Sequence, residues 1–178
     1  MDILNIAKKL GADRAVLIKV KEIILEPAVK DACTENTCSH YNKNFMCPPY
    51  VEDITYYNEL IGNYQQGILV QITRGIKGLE DKETINKYAS QLHRLILQLE
   101  KEAGNNGYPL AKAFSAGHCK LCNPCEVVNG ADRCAKPQLA RPSMEATGIN
   151  VIDTCRKVGM PIEFLENEVT WVGLILLK

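Results

Sequence analysis

Residues 82–103 read KETINKYASQLHRLILQLEKEA. Ile85, Tyr88, Ala89, Leu92, Leu95, Ile96, Leu99 and Ala103 recur at a period of 3.6 and mark one apolar helix face. Asp81 stands where an N-cap belongs, and Gly104 stands at the natural stop. His93 falls beside the apolar stripe, where exposure is expected. Upstream, Gly67 opens the short apolar run Ile68-Leu69-Val70-Gln71-Ile72, which reads as a strand. Downstream, a turn at Asn105-Asn106-Gly107 leads to a strand over 109–115.

The same reading extends to both ends. Residues 2–10 form a short helix with Asp2 as N-cap and Gly11 as stop, and residues 14–25 form a strand ending before Pro27. A helix is expected over 51–64, from Ile54, Tyr57, Leu60, Ile61 and Tyr64. Another is expected over 151–158, from the Asn150 cap to Gly159 and Pro161. Residues 168–177 read as a final buried strand. Two polar, cysteine-bearing loops remain, 28–50 and 116–149. The expected fold is α/β: a small mixed sheet of about four strands, flanking helices and two cysteine-rich metal-binding loops. One metal-binding domain over 1–178 is expected. Both loops follow a strand and precede a helix, so they are expected to converge at one end of the strands.

The chain has 178 residues, 46% hydrophobic and 24% charged, enough to bury an ordinary core. Twenty-one basic and 21 acidic side chains cancel, so neither nucleic acid nor an anionic membrane surface is an expected partner. No charged-then-apolar leader opens the chain, and no apolar stretch is long enough to span a bilayer, so a cytoplasmic location is expected.

Cysteine is the unusual component. Eight occur, in a chain too long and too core-rich to need a disulfide framework, which favours metal ligation. Cys119, Cys122 and Cys125 are spaced as in the bacterial ferredoxin run, where three such thiolates bind three irons of one cubane. Zinc sites more often pair two CxxC knuckles across a longer gap, so iron–sulfur ranks ahead of zinc, and disulfide last. Cys134 follows after eight residues instead of three, and either closes that cluster or reaches another. Cys33, Cys38 and Cys47, the last followed by two prolines, offer three corners of a second cluster. Its fourth corner would be Cys155, His40, another ligand or a substrate. Cys155 shares a helical face with Val151, Ile152 and Val158 and reads as core. His40 and His118 are expected to be ordinary loop histidines, and Arg141 is expected to pair with Glu145 four residues on.

Read together, Cys33, Cys38-Ser-His-Tyr, Cys47-Pro-Pro-Tyr, Gly117-His-Cys-Lys-Leu-Cys-Asn-Pro-Cys, Cys134-Ala-Lys-Pro and Arg141-Pro-Ser-Met-Glu-Ala-Thr-Gly resemble one family. It is an uncharacterised family of predicted metal-binding proteins of methanogenic archaea and anaerobic bacteria. The resemblance runs from about the first strand to the last. It implies that Cys33, Cys38, Cys47, Cys119, Cys122, Cys125 and Cys134 are the metal-binding set, and it leaves Cys155 outside. It implies no activity.

The leading expectation is a protein that binds one or two [4Fe–4S] clusters and acts in electron transfer or cluster delivery to a redox enzyme in an anaerobe. A second is an enzyme whose three-cysteine cluster keeps an iron open for a small-molecule substrate, with Arg141 or His40 positioning an anionic group or moving a proton. A third is a structural zinc module for interactions. The Cys-x3-Cys-x2-Cys run of radical S-adenosylmethionine enzymes is absent.

Overall fold

The computed structural model describes residues 2–178. Its helices are α1 (Ile3–Lys9), α2 (Pro27–Asp31), α3 (Ile54–Gly62), α4 (Lys82–Asn105) and α5 (Val151–Lys157). Its strands are β1 (Arg14–Lys19), β2 (Gln66–Gly75), β3 (Lys112–Ser115) and β4 (Glu168–Leu177). The strands form one sheet in the order β1-β2-β4-β3. Every pairing is antiparallel, so the sheet is not mixed. β1–β2 and β3–β4 are each joined at one end of the sheet, whereas α4 carries the chain from β2 back along a sheet face to β3, which is parallel to β2 but pairs only with β4 between them.

Four helices begin on the side chains expected of caps. Asp2, Asp53, Asp81 and Asn150 accept hydrogen bonds from the backbone N–H of Leu4, Tyr56, Thr84 and Asp153 at 2.8–3.2 Å. Both faces of the sheet are covered, so the strands read as continuous apolar runs and not as alternating ones. Ile68, Val70 and Ile72 of β2, with Ile175 and Leu177 of β4, meet α1 and α4 in one core. Leu69, Val172, Leu174 and Leu176 meet α3, α5, Met144 and Ile149 in the other. Gly173 lets α4 lie directly on β4, since a Cβ there would stand 2.4 Å from Ile96 Cγ2.

The first strand is shorter than 14–25. Lys19 donates its N–H to Glu22 Oε2 at 2.7 Å, and the chain turns over Val20–Glu22. Residues 24–26 then run antiparallel to 148–150, through Asn150 N–H to Ile24 O, Glu26 N–H to Gly148 O and the Leu25–Ile149 bridge. This reversal matters for the site. β1 and β3 are antiparallel to each other, so their C-terminal ends lie at opposite ends of the sheet. The first cysteine loop reaches the second only because residues 20–26 carry it back.

Candidate metal centre

The two cysteine loops meet beyond the end of β3. Buried Asn44 donates its amide N–H to the Cys119 carbonyl at 2.8 Å, and Ser143 donates its backbone N–H to the Met46 carbonyl at 3.1 Å. β3 anchors the second loop, with Ser115 N–H bonded to Pro142 O and Met144 N–H bonded to Ser115 O. Convergence is therefore a property of the fold, although its route differs from the one the strand order implied.

The first loop carries Cys33 on a short turn at Ala32–Glu35, directly after α2. Three non-glycine residues then take positive φ: Asn36 at 53°, Ser39 at 62° and Asn42 at 57°. Asparagine tolerates this region and serine does so less readily. Local hydrogen bonds hold the bend, with Asn36 Oδ1 accepting from Tyr41 N–H at 3.0 Å and Asn42 Oδ1 accepting from the Tyr50 hydroxyl at 2.6 Å. The result is a tight coil of backbone around Cys38 and His40.

The second loop opens at Gly117, whose φ of 71° and closeness to Trp171 favour glycine; an added Cβ would stand 3.0 Å from Trp171 Cζ3. Gly117 donates its N–H to Glu145 Oε2 at 3.0 Å, and that oxygen also accepts the Ser143 hydroxyl at 2.6 Å. At the loop's far end, Lys136 donates Nζ to the Leu121 carbonyl at 2.8 Å, and its N–H donates to Cys134 Sγ at 3.4 Å. Hydrogen bonds of this kind tune a ligating sulfur.

All eight cysteines are free. The seven loop thiols fall into two groups that feel each other's charge. Cys47 is pushed up to about 12, first by burial, then by Cys38 and Cys33, with Glu145 and Cys119 adding smaller pushes. Burial and then Cys38 raise Cys33. Burial raises Cys119, while the Leu121 backbone lowers it and Cys134, Cys125 and Cys122 add to the rise. Cys47 and Cys119 thus join the two groups. Cys155 lies elsewhere, fully buried in the second core beside Gln71, with burial raising it to about 11. It packs, as its helical face indicated.

Three side chains depart from expectation. Arg141 does not pair with Glu145. It donates Nε to both carboxylate oxygens of Glu100 on α4, at 3.1 and 3.0 Å, and Nη2 joins the pair. Glu145 is occupied by Gly117 and Ser143, which sequence spacing does not reveal. His93 is buried, and its ring Nε2–H donates to the Leu139 carbonyl at 2.9 Å; an acceptor from a distant loop makes an inward position tolerable. His40 and His118 are not separate loop histidines: their rings stack with centroids 3.3 Å apart. Burial lowers His40, and burial with Lys120 beside it lowers His118 to about 3, so both rings are neutral near pH 7.

Cys33, Cys38 and Cys47 open onto a cleft of about 970 Å³. α2 and Ile85 of α4 supply apolar walls, and Trp171, His40, His118 and Lys120 face the same space. Lys120 and Trp171 are the residues that the sequence reading missed. Lys120 lies inside the cysteine run and was visible there; Trp171 sits 46 residues beyond Cys125 and carries no local signal.

The profile of a family described as "Predicted metal-binding protein (DUF2284)" matches residues 16–177. The chain belongs to that family. No curated protein and no solved structure matches it. The DUF2284 description, metal binding, agrees with the donor chemistry: unbridged thiols on two loops that meet. Among the described residues, no three Cys, His, Asp or Glu side chains are already drawn together around a single metal position. The donor type fits a thiophilic metal or cluster nonetheless. Burial and the nearness of the other cysteines favour the protonated, neutral thiols, and a bound cation would replace those protons and stabilise the thiolate form. No helix among the described residues is long and apolar enough to cross a membrane.

Proposed function

We propose that this DUF2284 member is an iron–sulfur protein that binds [4Fe–4S] clusters and serves electron transfer or cluster delivery to a redox enzyme in an anaerobe. The observation that carries the reading is the meeting of the ferredoxin-spaced run Cys119-x2-Cys122-x2-Cys125 with a second group of thiols, through Asn44 and the Cys47–Cys119 proximity. Cys119, Cys122, Cys125 and Cys134 would hold one cluster, and Cys33, Cys38 and Cys47 three corners of another. Bound there, the clusters would supply one-electron chemistry. The chain's own contribution is to hold the loops together, to hydrogen-bond Cys134 and to bury Cys47 and Cys119 away from water.

A second reading, an enzyme that binds a small molecule beside the three-cysteine group, is favoured by one observation: that group opens onto the large cleft and the four-cysteine group does not. Of the two residues first considered for positioning such a molecule, His40 faces the cleft, whereas Arg141 is spent on Glu100.

The test is a pair of substitutions made anaerobically. Cys122→Ala and Cys47→Ala are each expected to remove about half of the bound iron and sulfide, and the double variant to remove nearly all of it. Unchanged iron in both single variants, or zinc in place of iron in the parent, would reject the proposal.

A further inference from the structure

Two lysines line the large cleft. Lys82 is exposed at the start of α4, whereas Lys120 is half-buried. Lys120 belongs to the second loop, between Cys119 and Cys122, yet it lines the cleft onto which Cys33, Cys38 and Cys47 open. It also lines a smaller hollow of about 280 Å³ beside Cys122. Its ammonium lies 5.2 Å from the Trp171 ring centroid and 3.1–3.2 Å from the ring nitrogens of His118. Burial lowers Lys120 to about 8, while Cys47, then Cys119, Glu145 and Cys38 pull it back up. The charge therefore stands between the two thiol groups and within reach of both. An ammonium held out of water is costly unless negative charge faces it. Protonated thiols supply none, and Glu145 supplies one carboxylate, with an oxygen already taken by Gly117 and Ser143. Ligating thiolates would supply more.

We infer that Lys120 is a positioning residue for the bound clusters: its charge, set between the two thiol groups, offsets the ligating thiolates and favours the reduced form. The inference rests on the cluster reading above and names the side chain that tunes the potential. Reduction brings in one electron from an external reductant and breaks no bond, so it adds one negative charge to a site already rich in thiolate. A half-buried cation beside the site stabilises that added charge more than a hydrated one, because solvent and salt screen it less. Net charge and solvent exposure are among the quantities that set such potentials. Lys82 is the internal comparison, since it has the same charge and lines the same cleft but is exposed.

Full-length protein and the variants Lys120→Met, Lys120→Arg and Lys82→Met are purified without oxygen and assayed for iron and sulfide. Each is then titrated with dithionite at pH 7 while the electron paramagnetic resonance signal of the reduced iron is followed. Lys120→Met is expected to make reduction about tenfold less favourable, a fall of about 59 mV in midpoint potential for a one-electron couple. Lys120→Arg keeps a fixed charge and is expected to stay near the parent. Lys82→Met is expected to shift far less than Lys120→Met. A role in packing alone would leave the potential of Lys120→Met in place, or move the Met and Arg variants alike. Either result overturns the inference, as does an equal fall in Lys82→Met. Loss of iron from Lys120→Met but not from Lys120→Arg supports the need for charge, and loss from both overturns it. A brown parent whose potential is indifferent to Lys120→Met overturns this inference alone. A parent holding zinc and no iron overturns it together with the cluster reading.

Discussion

Cys155 and Cys119 are both buried cysteines, and their surroundings separate their roles. Cys155 lies among Met144, Ile149 and Val151 and feels no other thiol, whereas Cys119 feels three. Cys155→Ala therefore removes packing alone. It is expected to cost about 1–2 kcal/mol in urea unfolding and to leave metal content unchanged, against the iron loss expected of Cys122→Ala. His93 gives a prediction in pH. Its folded value is lowered from 6.5, first by burial, then by Arg141 and Lys120, against the opposing pull of the Leu139 carbonyl and Glu100. As pH falls through 6.5, the unfolded chain takes up the proton before the folded one does, so stability drops. His93→Gln keeps a donor for Leu139 and cannot titrate. Its unfolding free energy is expected to fall less steeply below pH 6.5 than the parent's, while His40 and His118 contribute equally to both.

Elements with strong periodicity were legible. The face of α4 and its Asp81 cap follow from residues 81–103 alone, because a 24-residue helix with one apolar stripe has few other uses. α2 was not legible: five residues beginning at Pro27 give no periodic signal, and the helix is held by its neighbours, with Lys30 Nζ donating to the Glu52 carbonyl. β2 runs past Ile72 to Gly75 because Thr73 pairs with Thr170, hydroxyl to hydroxyl at 2.9 Å, a cross-strand partnership that an apolar run cannot announce. The inward turn of His93 and the Arg141–Glu100 pair likewise depend on partners 41–46 residues away. Where α4 crosses β4, Gly173→Ala would drive a methyl group into Ile96. The expected cost is about 1–3 kcal/mol by urea unfolding, with iron content retained, since the contact lies in the α1–α4 core away from the cysteines.

At the scale of the whole molecule, an antiparallel sheet buried on both faces holds two loops that leave it at opposite ends and meet at one. The ferredoxin-like spacing of Cys119, Cys122 and Cys125 was visible in the sequence because ligands of one cluster can lie close along the chain, whereas their grouping with Cys33, Cys38, Cys47 and Cys134 was implied by the family resemblance. The cleft was not, because Lys120, Trp171, Ile85 and α2 meet only through tertiary structure. The proposed function requires iron and sulfide held by these two loops. The measurement that tests it most directly is analysis of iron, acid-labile sulfide and zinc, with an absorption spectrum, on the full chain purified without oxygen. The expected result is a brown protein with iron and sulfide in equal amounts, about four of each per cluster, and no stoichiometric zinc. Colourless protein holding zinc, and neither iron nor sulfide, would contradict it.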